Sequence, residues 1–273
     1  MPFRFATIAL LLLSLLGCAT NPVTGRSQLM LVSEDQAISA SKDAYVKMLQ
    51  PLDKKGKLDK DPAMTERVQR ITARLIAQAV KYRPETKNWD WRVKVIDDPD
   101  TVNAFCMAGG KMAIYSGLIL KLDASDDEIA QVMGHEIAHA LSAHTAEQMS
   151  VALATNLALT GIAVTQDEPG VALAGASLAA ALAIRLPNSR TAETEADVIG
   201  IELAARAGYH PRAAVTLWQK MAKESGGGDF DFFSTHPSPG KRIQNLGKLV
   251  PKMMPLYEDK KPRPVYPLKS DLS

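Results

Sequence analysis

His135, Glu136 and His139 stand as H-E-x-x-H within residues 129–144, which read IAQVMGHEIAHALSAH. Residues four apart share one face of a helix, so two neutral imidazoles at this spacing can hold one zinc ion. Coordination positions then remain for a third protein ligand and a water, with Glu136 beside that water as general base. The chemistry implied is metal-assisted hydrolysis. The plain alternative is a surface helix with solvated histidines.

The flanking residues specify the helix that this chemistry needs. Ser125 and Glu128 form an S-x-x-E capping box, Asp126 and Asp127 place negative charge in the first turn, and Ile129, Val132, Met133, Ile137 and Leu141 supply an apolar stripe. A second helix, starting near Ser189 and Arg190, carries Glu193 and Asp197 four apart on one face. Glu193 can supply the third ligand, with Glu195 and Glu202 as competitors for that role. Asp197 can accept a hydrogen bond from the far nitrogen of a metal-binding histidine, fixing its tautomer. A solvated acidic face is the plain reading of the same residues. Further on, a joint of Gly226, Gly227 and Gly228 leads past Phe230, Phe232 and Phe233 to His236 in S-T-H-P, a loop with the marks of a mobile functional segment.

Between these helices and the start of the chain the hydrophobic period changes to two. Trp89, Trp91, Val93 and Val95 alternate with Asp90, Arg92 and Lys94, which predicts a strand with one buried and one wet face. Strands over 102–107 and 112–115 flank Gly109 and Gly110, a dipeptide suited to a tight hairpin. An edge formed by Asn103, Ala104 and Phe105 beside a metal could bind an extended peptide by backbone pairing; an ordinary structural hairpin is the alternative. Cys106 is a weak candidate nucleophile, with no base beside it in sequence.

A chain of 273 residues, 46% hydrophobic with a formal charge of +2, has enough apolar content for one sizeable domain or two small ones, and its balanced charge argues against nucleic acid as a partner. Residues 1–17 read as a bacterial lipoprotein signal peptide: Arg4, an apolar run over 8–16, then L-L-G before Cys18, whose thiol would be acylated after cleavage. The run is short of the ~20 residues that cross a bilayer. Ala19 after the cysteine favours the outer membrane, with the mature chain lipid-anchored and facing the periplasm. Cys106 is then left without a disulfide partner in an oxidising compartment. The expected domain spans 18–250. It opens with helices from Ser33 to about Leu49 and from Pro62 to about Tyr82. Alanine-rich runs over 151–164 and 171–184 read as packed helices, a lid, or a hairpin touching lipid. His210 enters a helix striped by Ala214, Leu217, Trp218 and Met221, and a last helix runs through Arg242 to Leu249. Residues 251–273, rich in proline and lysine, are expected to be extended or disordered.

The order and spacing of H-E-x-x-H, E-x-x-x-D and T-H-P-x-P followed by Arg242 resembles the HtpX/CAAX-protease family of gluzincin zinc metallopeptidases, most of all its periplasmic lipoprotein members of the LoiP and BepA kind. The resemblance covers about residues 21–249. It implies an α+β, mainly helical, zincin-type metallopeptidase domain with a small sheet and hairpin beside the H-E-x-x-H helix. It further implies one zinc ion per chain on His135, His139 and Glu193, catalysis by Glu136, support from Asp197, and substrate pairing along 103–107. His236 would either close on the zinc and hold the enzyme idle or stabilise the oxyanion during turnover. The function implied is an endopeptidase for unfolded or damaged envelope proteins. The alternative is a mainly non-proteolytic assembly factor working with the outer-membrane protein assembly machinery, its zinc plugged by His236. One departure bears on the hairpin: Cys106, Met107 and Ala108 precede the two glycines where many relatives carry a proline.

Overall fold

A computed structural model of the chain describes residues 18–160, 189–225, 231–236 and 240–272. The expectations for the signal peptide, the second alanine-rich run, the triple-glycine joint and residues 237–239 lie outside them. Strand β1 (Cys18–Thr20) pairs antiparallel with β2 (Ser27–Leu29). Helix α1 (Glu34–Asp53) starts at the predicted capping box of Ser33 and Gln36, and α2 (Pro62–Tyr82) starts where the Asp61 carboxylate accepts from the backbone N–H of Ala63 and Met64. A 3₁₀ turn over Pro84–Asn88 leads into the sheet.

The sheet has three strands in the order β3 (Arg92–Ile96), β5 (Lys111–Tyr115), β4 (Ala104–Met107), with β3 parallel and β4 antiparallel to β5. Gly109 and Gly110 close the β4–β5 hairpin, both at φ +78°. Gly110 is required twice over, because a Cβ there would also stand 2.5 Å from the Trp91 ring. A short α3 (Ser116–Lys121) precedes the central helix α4 (Asp126–Leu141), and α5 (His144–Thr160) follows after a turn. Then come α6 (Arg190–Arg206), α7 (Ala213–Glu224), α8 (Asp231–Thr235) and α9 (Gly240–Glu258).

Helix α4 is the axis of the core. Its predicted capping box forms, and every residue from Glu128 to Leu141 is buried among α2, β4, α6 and α7. It crosses α6 without intervening side chains: a Cβ on Gly134 would lie 2.9 Å from the Gly200 carbonyl oxygen, and one on Gly200 would lie 2.8 Å from the His135 Cα. The helices that carry His135 and Glu193 thus touch backbone to backbone.

Two expectations are corrected. Arg92, expected on a wet face, is fully buried, because the C-terminal chain crosses that side of the sheet. Its Nη1 donates to the backbone oxygen of Asp271 at 2.8 Å and to the Asp271 carboxylate at 2.9 Å, while the Lys269 N–H donates to Trp91 O at 3.0 Å. Residues 251–258 are not extended either: α9 runs through Pro251 and Pro255 to Glu258. Each proline removes one helix hydrogen bond, but burial of Leu246 and Met253 against the core favours continuing. The extended stretch begins only after Glu258. There Arg263 Nη2 donates to the Leu256, Tyr257 and Asp259 carbonyls, closing the C-terminus of α9, and the Tyr266 N–H reaches Ala73 O at 3.0 Å. No helix among the described residues is long and apolar enough to cross a membrane.

Candidate active site

The i, i+4 spacing on α4 brings the Nε2 atoms of His135 and His139 to 3.0 Å of each other. Across the glycine contact, the first turn of α6 delivers Glu193, with Oε1 3.3 Å from His139 Nε2 and Oε2 3.5 Å from His135 Nε2. His236 follows α8, where its ring stacks on Phe232 with centroids 4.2 Å apart. Its Nδ1 lies 2.8 Å from Glu193 Oε1 and 3.4 Å from His135 Nε2. One donor atom from each of His135, His139, Glu193 and His236 falls within a sphere where all lie under 4.8 Å apart, and all four residues are buried. Glu136 points at the same space, its Oε1 3.4 Å from His236 Nε2.

Behind these four residues, Asp197 Oδ1 lies 3.2 Å from His135 Nδ1. Arg242, given no role from its sequence position, occupies the centre of this layer. Its Nε and Nη2 donate to the Asp197 carboxylate at 2.7–2.9 Å, its Nη1 lies 2.6 Å from Glu193 Oε2, and its guanidinium covers Trp218 at 3.7 Å. Its Nη2 also stands 2.9 Å from both ring nitrogens of His135.

The electrostatics fit a bound cation. Burial would raise the Glu193 pKa, but the adjoining imidazoles of His236, His135 and His139 hold it well below the usual carboxylate range. Burial and Arg242 oppose charge on His135, yet its contacts with Asp197 and Glu193 outweigh them and lift its pKa to about 9. Burial drives His139 well down, and Glu193 counters only part of this. Glu136 is raised by burial, as suits a base that must take up a proton. Three acidic groups, Glu136, Glu193 and Asp197, converge on the three imidazoles of His135, His139 and His236, and Glu136 Oε1 and Glu193 Oε2 are buried without an aligned hydrogen bond. A borderline-soft divalent ion taking nitrogen and oxygen donors matches this set.

A cleft of about 110 Å³ opens over the cluster, bounded by Asn103, Ala104 and Phe105 on the β4 side and by Glu136, His139 and His236 on the other. Strand β4 has β5 as its one strand neighbour among the described residues. Cys106 also lines the cleft, but complete desolvation pushes its thiol well up, which argues against a nucleophilic role. Glu195, a competitor for the third ligand position, faces away from the cluster and accepts a hydrogen bond from His144 Nε2 at 2.9 Å. Glu202 pairs with Arg206 on the surface. His210 serves its helix entry, its Nδ1 accepting from the Arg212 N–H at 3.1 Å.

Residues 62–250 match the family model of Peptidase family M48. The chain is 32% identical over 249 residues to the mitochondrial metalloendopeptidase OMA1 of Saccharomyces cerevisiae, covering 87% of this chain and 70% of that one. It is 32% identical over 219 residues to the metalloprotease LoiP of Escherichia coli, covering 77% and 82% respectively. With the beta-barrel assembly-enhancing protease of Yersinia pestis the identity is 30% over 243 residues, covering 86% of this chain but 48% of that longer protein.

Proposed function

This chain belongs to peptidase family M48, a family of metallopeptidases, and we propose that it is a zinc endopeptidase whose ion sits on His135, His139 and Glu193. The observation that carries this reading is the convergence of those donors with His236 inside one buried cluster, directly beneath a cleft with a strand along its rim. When bound, zinc would supply Lewis acidity toward a peptide carbonyl and acidify water. An extended polypeptide would pair with β4 along Asn103, Ala104 and Phe105, placing its backbone across the cleft without selecting side chains. Glu136, kept basic by burial, would take the proton of the attacking water and deliver it to the leaving amine. Asp197 would hold the His135 ring by its Nδ1, and Arg242 would fix Asp197 and Glu193 together.

The position of His236 supports a resting state closed by its imidazole, because its two nitrogens face Glu193 and Glu136 at once. The same contact favours the second reading, an assembly factor for outer-membrane proteins that seldom cuts. Acylation at Cys18, an outer-membrane address facing the periplasm, and unfolded or damaged envelope proteins as substrates complete the proposal. It rests on the lipobox and on the names of the LoiP and beta-barrel assembly-enhancing relatives.

The test is elemental analysis combined with casein cleavage, with and without chelator. The parent protein is expected to hold one zinc per chain and to lose cleavage when the metal is stripped. Glu136→Gln is expected to keep its zinc and lose about 10²–10⁴-fold in kcat, the usual worth of a general base. Wild-type cleavage by that variant would refute the assignment.

A further inference from the structure

Beyond the four clustered donors, a second constellation lies on the far side of His139, and none of the roles assigned above uses it. His139 Nδ1 is 2.9 Å from His144 Nδ1, and His144 Nε2 is 2.9 Å from Glu195 Oε2. A metal-binding histidine ordinarily presents its other N–H to a carboxylate, a carbonyl or water. Here it meets a second imidazole, and the direction of each hydrogen bond follows. The Glu195 carboxylate can only accept, so His144 carries a proton on Nε2, and its Nδ1 is a lone pair because a His139 that binds zinc through Nε2 must donate from its own Nδ1. That lone pair accepts from His139 Nδ1–H, which leaves the His139 Nε2 lone pair facing Glu193 and His135.

This line is anchored in the first residues of the described chain. Glu195 Oε1 accepts from Thr24 Oγ1 at 2.8 Å and from Arg26 Nε at 2.9 Å. Arg26 also holds Glu147 through Nη1 and Nη2 at 2.8 and 2.7 Å, so one guanidinium bridges the first turn of α5 to α6. The turn that delivers His144 is gripped from the same side: the Ser142 carbonyl accepts from Asn21 Nδ2 at 3.1 Å and from Gln28 Nε2 at 3.0 Å. Within that turn Ala143 adopts φ +53°, a conformation that residues with a side chain seldom hold unless the surroundings fix it. His144 itself is 1% exposed.

We propose that His144 is a positioning residue for His139, oriented by Glu195, and that residues 21–28 clamp Glu195 and the Ser142 turn so that the N-terminal segment is part of the metal centre's support. The inference rests on the zinc reading above. It adds that the stretch just after Cys18 is mechanically joined to a metal ligand rather than being a passive tether.

The experiment measures zinc affinity by chelator competition in the full chain for the parent, His144→Leu, His144→Asn and Arg26→Ala, together with the ¹⁵N spectrum of labelled histidines in the zinc-loaded parent. His144→Leu is expected to bind zinc about 10–100-fold more weakly, the usual cost of losing such a partner. His144→Asn keeps an acceptor for His139 Nδ1–H and is expected to recover most of that loss, which a merely structural role would not predict. Arg26→Ala, which leaves both imidazoles in place, is expected to weaken zinc by about threefold or more. The spectrum is expected to show His144 protonated on Nε2. Equal zinc affinity in the parent and His144→Leu, or a His144 protonated on Nδ1, would overturn the relay and leave the zinc reading standing. Should His144→Leu not fold, the other two measurements decide: zinc bound about threefold more weakly by Arg26→Ala together with the Nε2 tautomer supports the proposal, and unchanged affinity in Arg26→Ala or the Nδ1 tautomer overturns it. A parent that takes up no zinc would overturn both readings.

Discussion

At the scale of single residues, a few side chains have roles set by distance and others by burial. That His135 and His139 come together was legible because residues four apart share one face of a helix, whereas Glu193 was singled out from Glu195 and Glu202 only by the resemblance, and the structure clusters it with the two histidines. Arg242 and Arg26 were not legible as functional groups, since their partners lie far away in sequence: Arg242 Nε meets a carboxylate 45 residues away, and Arg26 Nη1 meets one 121 residues away. His144 meets His139 only five residues away, but its other contact, Glu195, lies 51 residues on. Two signals were present: His144 closes the stretch around the H-E-x-x-H motif, and Arg242 follows T-H-P-x-P in the pattern that carries the resemblance. His236 makes the sharpest residue-level prediction. With its nitrogens between Glu193 and Glu136, its removal is expected to open the site, so His236→Ala should retain zinc and cleave casein about three- to tenfold faster, a relief of ~1 kcal/mol in the barrier. A slower variant would instead favour oxyanion stabilisation.

At the scale of elements, the approach of α4 and α6 decides whether Glu193 meets His135 and His139. The gap at Gly134 and Gly200 leaves no room for a methyl group, and its neighbours are main-chain atoms that cannot rotate away. Gly200→Ala is therefore expected to force the helices apart, lowering stability by ~1–3 kcal/mol in thermal or urea unfolding and weakening zinc binding as well. Sequence periodicity shows that a glycine sits in a helix but not what faces it, so this contact was invisible before the fold. The capping box of α4 was fully legible, and it carries a pH signature. Glu128 is buried, which would raise its pKa, but Lys220, the Ser125 N–H and Thr216 outweigh burial and lower it below its ordinary value of 4.5. Its stabilising contribution is thus complete above about pH 4.5 and is lost as the pH falls through the depressed value. Glu128→Gln is expected to cost ~1–3 kcal/mol at pH 7, with the gap to the parent narrowing below about pH 4.5 in pH-dependent thermal melts.

At the scale of the whole molecule, helices were easier to read than the company they keep. The alternation of Trp91, Val93 and Val95 located β3, yet the fate of Arg92 depended on chain 179 residues further on. Proline and lysine content pointed to a loose C-terminal region, but composition cannot register a backbone that docks through its own N–H and carbonyl groups, as Tyr266 and Lys269 do. Truncation after Glu258 is expected to uncover the Arg92 guanidinium and the side of the sheet it lies on, lowering the unfolding midpoint by roughly 4–8 °C per kcal/mol lost on a small-domain scale and less for a chain of this size. Zinc content should be unchanged, because among the described residues none beyond Glu258 belongs to the cluster. Loss of zinc together with the tail would show that the two regions are coupled.

The occupation of β3 has one more result. Its outer flank already receives hydrogen bonds from the Asp59 and Lys269 amides, to Val95 O and Trp91 O. A foreign polypeptide extending this sheet would thus be turned away from one margin and would find room at the other, where β4 and Glu136 line the same cleft. On the proposed reading, this would spare the protein indiscriminate stacking with its own kind and would let a threaded chain enter only where it could also be cut.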